Sequence, residues 1–159
     1  MTLEFEFDQR AGHMYVYPLG QPPHGLVWRT VPFDQYQPEL GFTFADITRE
    51  GRILGFEMLD AKLRLDNSWP RDKAGRPTVV ETYDRERDEY RMIFGESAVV
   101  QKLTVRAGDD FPGFEVTALL STQARVTAYV IPRASHQFWC PVPDDVPSPR
   151  AVHRRHHRS

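Results

Sequence analysis

The stretch FDQRAGHMYVY (residues 7–17) is echoed by YDRERDEYRMI (residues 83–93). Both open on an aromatic–Asp pair, pass through polar, turn-forming residues and finish in a segment with strand character. At this offset of 76, Asp8 falls on Asp84, Met14 on Tyr90 and Val16 on Met92. A second echo, at an offset of 73, sets ITREGRILGFEM (47–58) over LSTQARVTAYVI (120–131). It pairs Ile53 with Val126, Gly55 with Ala128, Phe56 with Tyr129 and Met58 with Ile131. Self-similarity at a nearly constant period indicates a duplicated structural unit. The loss of three positions is expected in the loop FDQYQPELG (33–41), matched by RAGDDFPG (106–113).

Both copies read as β-structure. In the first, LEFEF and HMYVY alternate, GLVWRTV and FTFADI are rich in β-branched and aromatic residues, and RILGFEM follows a tight REG turn. TVVETY, YRMIF, AVVQKLTV, FEVTALL and RVTAYVI do the same in the second. The best helical candidate is the short stretch EMLDAKLRLD at 57–66, and LDNSWPRDKAGRP (65–77) reads as the linker between copies. A sheet of four or five short strands leaves one apolar face to be covered. Two copies in one chain can cover each other. The expected fold is all-β, or α+β if 57–66 forms one short helix. It comprises two tandem antiparallel β-meanders packed as a pseudo-twofold sandwich or flattened barrel. Residues 1–147 form one domain with repeats at 3–61 and 80–134. Residues 148–159, with four arginines and no acid, read as a disordered basic tail.

Outside that tail the chain carries 16 Lys and Arg against 22 Asp and Glu, a poor surface for sequence-independent phosphate binding. No sequence-specific nucleic-acid binding is expected. No apolar run is long enough to cross a bilayer, and the N-terminus lacks the basic start and long apolar stretch of a signal peptide. The one cysteine, Cys140, cannot form an internal disulfide, so the expected location is the cytoplasm.

The first copy resembles the short bacterial domain-of-unknown-function family 2283. The resemblance rests on Phe7 and Asp8, the polar turn, HMYVY, a middle strand ending in Thr30 and Val31, and DITREGRILGFEML. The family's closing Asp, turn Gly, second Gly and Glu match Asp46, Gly51, Gly55 and Glu57. The resemblance covers residues 3–61 and extends faintly to 80–134. It implies a small antiparallel sheet that associates in pairs, with a toxin–antitoxin role suggested for some members. The loop between Val31 and Phe42 is longer than the family pattern, and Leu119 and Val130 stand where Asp46 and Glu57 do.

Glu57 is the most informative side chain. Strand alternation puts Ile53, Gly55 and Glu57 on one face, and their counterparts Val126, Ala128 and Val130 are apolar. A carboxylate there is expected to pair with Arg29 or Arg52, or to face a cavity. In the second case Tyr15, Tyr17, Trp28, Phe42, Phe44 and Phe56 would line an apolar pocket, with Arg29, Asp46 and Glu57 as its polar contacts. HQFWCP (136–141) concentrates His136, Trp139 and Cys140 but lacks any partner motif, and reads as a docked strand end. His153, His156 and His157 have metal-compatible spacing only on a helix, which the proline-rich approach does not favour. No catalytic residue, cofactor or metal is therefore expected. Two functions remain: a non-enzymatic module acting through an unknown protein partner, antitoxin-like or accessory, or a small β-barrel binding or transforming a small apolar ligand in the first repeat.

Overall fold

The structure, a computed structural model, describes residues 3–73 and 75–150. The first repeat supplies β1 (Glu4–Asp8), β2 (His13–Tyr17), β3 (Arg29–Pro32), β4 (Thr43–Ile47) and β5 (Ile53–Met58). The second supplies β6 (Val80–Asp84), β7 (Glu89–Ile93), β8 (Gln101–Arg106), β9 (Glu115–Leu120) and β10 (Val126–Ile131). Each set forms an antiparallel five-stranded sheet, ordered β1-β2-β5-β4-β3 and β6-β7-β10-β9-β8. In both, a hairpin and a three-stranded meander are joined by a crossover to the far edge, so the fifth strand pairs with the second.

Turn chemistry repeats more faithfully than residue identity. The Asp8 carboxylate accepts from the backbone N–H groups of Arg10 and Ala11, and Asp84 accepts from Glu86 and Arg87. Thr48 and Ser121 hydroxyls receive the N–H of Arg52 and Arg125 at the second hairpin. Left-handed backbone recurs at Gly12 and Asp88, at Gly51 and Ala124, and at Asp60 and Arg133. Short polar side chains that bond their own backbone specify such turns locally, which is why they survive divergence.

The length difference does not lie where the sequence placed it. Eleven residues separate Tyr17 from Arg29, but only seven separate Ile93 from Gln101. Pro32 stands opposite Phe44, twelve positions on, and Thr104 opposite Thr117, thirteen on. The first repeat therefore gains four residues in its β2–β3 crossover, and the second gains one in its β8–β9 loop. Crossovers run over the surface and tolerate insertion, whereas Phe33 and Leu40 of the β3–β4 loop are wholly buried.

One core lies between the sheets and draws on both. Phe56 and Tyr129, repeat equivalents, stack in parallel at 6.2 Å. Phe33 meets Phe56, Phe114 and Tyr129 edge-on, and Phe94 meets Tyr129 in the same way. The core breaks its own symmetry with a polar pair. Buried Thr43 hydrogen bonds to the Tyr129 hydroxyl, where the equivalent pair is Val116 and Phe56. Thr43→Val should cost about 1–3 kcal/mol by stranding that hydroxyl, whereas Thr43→Val with Tyr129→Phe should recover most of the loss. Urea denaturation of the two single variants and the double measures this cycle; additive losses would sink it.

The repeats also strap each other. Single helical turns α1 (Ala61–Arg64) and α2 (Ala134–Gln137) follow β5 and β10. After α1, Leu65 bridges to Val126; after α2, Phe138 bridges to Ile53. Arg52 donates to the carbonyls of Ser135 and Phe138, and its equivalent Arg125 donates to that of Lys62. The stretch read as a linker, 65–77, therefore begins inside the fold, with Asp66 only 3% exposed. The 57–66 helical candidate reduces to one turn, because Glu57 and Met58 belong to β5. Of the basic tail, residues 151–159, including His153, His156 and His157, lie outside the described residues. Among the described residues no helix is long and apolar enough to cross a membrane.

Candidate functional site on the outer face of the first sheet

A β-bulge decides where Glu57 points. Asp46 stands opposite Gly55 but Ile47 opposite Ile53, so β5 carries one extra residue, Leu54. Ile53 therefore enters the core, while Gly55 and Glu57 turn outward, and the shared face expected from simple alternation is broken. Neither arginine expected as a partner reaches Glu57. Arg52 serves the strap, and the Arg29 guanidinium lies 4.4 Å from the Trp28 ring centroid. Glu57 instead accepts a hydrogen bond of 3.0 Å from the Tyr15 hydroxyl.

Register places the rest of this outer face. Tyr15 stands between Glu6 and Glu57, and Tyr17 opposite Glu4. Asp46 stands opposite Thr30, whose hydroxyl donates to it at 2.7 Å. Four carboxylates thus share a face with two tyrosines. The only Lys or Arg in the five strands, Arg29, is in register with core residue Ile47 and does not join them. At the equivalent positions of the second sheet stand Val80, Thr82, Leu119 and Val130, none of them charged. There Leu119, Ala128 and Val130 form a small apolar cluster with Ile93. That sheet's charges are mixed, with Lys102 beside two ion pairs, Arg91 with Glu89 at 3.0 Å and Arg106 with Glu115 at 2.9 Å.

Gly55 fits the site sterically. A Cβ there would come within 2.8 Å of the Val16 carbonyl and 3.0 Å of the Tyr17 ring, so glycine lets that ring lie over β5. Beside it the inserted crossover builds a groove of about 550 Å³, lined by Tyr17, Pro22, Pro23, Val27, Asp46 and Leu54 among others. Leu26, Val27 and Trp28 are exposed on the same crossover. The electrostatics follow the acids. Hydrogen bonding to Glu57, then burial and the charge of Glu57, raise the Tyr15 pKa. Burial raises that of Tyr17, with Glu6, Asp46 and Glu57 adding to it.

The six aromatic residues expected to line one pocket are divided by the sheet. Phe42 and Phe56 are core, Tyr15 and Trp28 are exposed outside, Phe44 is half-buried opposite Glu57, and Tyr17 lines the external groove. Asp46 joins that groove; Glu57 and Arg29 are not among its lining residues. Glu4 and Glu6 escaped the sequence reading, although the acid alternation of LEFEF, set against the tyrosine alternation of HMYVY, was the available signal. Around HQFWCP, Phe138 is buried and the Trp139 N–H donates to the Ile53 carbonyl, as expected of a docked strand end. Burial raises the Cys140 thiol pKa, the opposite of what an activated nucleophile needs. No cluster of metal-ligating side chains occurs among the described residues. Neither a family model, nor a curated protein, nor a solved structure matches this chain.

Proposed function

We propose that the chain is a non-catalytic binding module, a duplicated relative of the short bacterial β-modules it resembles, whose first sheet presents its outer face to a protein partner. The second sheet acts as the scaffold that buries the first sheet's apolar side. One observation carries this reading: four outward carboxylates occupy positions where the sister sheet has no charged residue, and Tyr15 and Tyr17 stand among them. The same strand order is maintained without those carboxylates, so folding does not require them, and exposed polar and aromatic groups of that kind serve recognition. The packing of Phe33, Phe56 and Tyr129 between the sheets, with Glu57 turned to the outer face, supports this reading over a pocket for an apolar metabolite, which would need an enclosed cavity beside Glu57.

Affinity isolation from the source cells tests it. A partner retained by the wild type is expected to be lost on Tyr15→Ser with Val27→Ser. It should persist on Arg91→Ser with Lys102→Ser, on the opposite sheet. The reverse pattern would assign the interface to the second sheet and overturn the proposal.

A further inference from the structure

We propose that the segment received by this face is extended and cationic, a Lys- and Arg-rich stretch of another protein laid along β5 and β4 beside the Pro22–Pro23 wall. This rests on the reading of the first sheet's outer face as an interface. Charge complementarity selects the occupant. Glu4, Glu6, Asp46 and Glu57 place carboxylates on one face with no strand cation among them. The donors that reach Asp46 and Glu57 are neutral hydroxyls, which leave the negative charge in place. The second sheet balances its outward arginines with Glu89 and Glu115, so the imbalance belongs to this face and not to the fold.

Shape and spacing agree with the charge. Outward positions along a strand recur at roughly 7 Å, the same interval as alternate side chains of an extended peptide. Glu57 and Asp46 lie on successive outward rows, since Phe44 faces Glu57 and Asp46 faces Gly55. A segment running with the strands would set alternate cations against the two carboxylates. Tyr15, at 38% exposure, and the Tyr17 ring over Gly55 offer aromatic faces to the same groups. Arg29, whose guanidinium already lies over Trp28 in this chain, shows the kind of contact a partner arginine would make.

Fluorescence anisotropy of the full chain with a labelled eight-residue peptide of alternating Arg and Ser tests this. Saturable binding is expected, weakening about tenfold as salt rises from about 50 to 300 mM, because exposed charges are screened over that range. Asp46→Asn with Glu57→Gln preserves both hydrogen-bond acceptors and should lower affinity about tenfold. Glu89→Gln with Glu115→Gln, on the second sheet, should change it less than twofold. The matching Glu–Ser peptide should not bind. Equal losses from both pairs of substitutions, or no binding by the wild type, would overturn the proposal. Tighter binding after removal of residues 151–159 would assign the face to the chain's own basic segment and overturn the outside partner. If a cellular partner is lost with Tyr15→Ser and Val27→Ser while the Arg peptide ignores Asp46 and Glu57, the interface stands and only its cationic ligand falls.

Discussion

Phe33→Ala should lower the unfolding free energy by about 3–5 kcal/mol, the largest loss expected from a single truncation in this chain. Phe33 is wholly buried and meets three aromatic rings edge-on at 5.9–6.3 Å: Tyr129 and Phe114 from the second repeat and Phe56 from its own. It belongs to the short 3-10 turn Phe33–Gln35 between β3 and β4, so the chain crosses from sheet edge to core centre there. Truncation removes the transfer energy of the ring and leaves a cavity among side chains held by both sheets, which cannot collapse without moving one repeat against the other. Phe33→Leu should cost less than half as much. Guanidinium denaturation measures both. A loss below about 1 kcal/mol for the alanine variant would show that the interior is not closed at that point.

Asp66→Ala should cost about 3 kcal/mol or more, and the cost should depend on pH. The Asp66 carboxylate is the centre of a polar knot. It accepts from the backbone N–H and the hydroxyl of Ser68, and from the same two groups of Ser97. Gly95 makes room for it, since a Cβ at that position would overlap the carboxylate and the Ser68 hydroxyl. The knot ties the inter-repeat segment to the stretch after β7, and the Asp66 N–H in turn donates to the Val126 carbonyl. Burial alone would raise the Asp66 pKa, but the four hydrogen bonds outweigh it and hold the value below the ordinary one. A depressed folded-state pKa means stabilisation that is fully present above the ordinary aspartate range, near 4, and is lost as pH falls through the folded value. Wild-type stability should therefore fall below about pH 4 more steeply than that of Asp66→Asn. Parallel acid limbs for the two proteins would contradict this role.

Much of the fold is legible in the residues. Strand alternation and the two echoes identify ten strands and a duplication, because period-2 patterning and Asx-type turns are decided within a few residues of chain. The equivalence of Phe56 and Tyr129 can be read from the offset of 73, whereas their stacking at the core centre is decided by how the two sheets pack. Other features depend on which strands become neighbours. LDNSW looks like a polar linker because two of the four groups that satisfy Asp66 lie about thirty residues away, on Ser97. FDQYQPELG reads as a loop, yet Phe33 and Leu40 are core, with Phe33 packed on Phe114 and Tyr129 of the second repeat as well as on Phe56 of its own. The extra crossover length is hidden in the sequence because GLVW (25–28), which reads as strand, belongs to the crossover.

The candidate site divides along the same line. Composition and pattern single out Glu57, Asp46, Tyr15 and the loss of both acids from the second copy, all properties of residue identity and offset. The orientation of Glu57 required the tertiary structure. The Leu54 bulge reverses alternation for half of β5, and a bulge arises from the register between two strands, which neither strand encodes alone. Side-chain period is thus a local property of the backbone, set by the sequence, whereas the face that meets water is chosen by whatever packs on the other side.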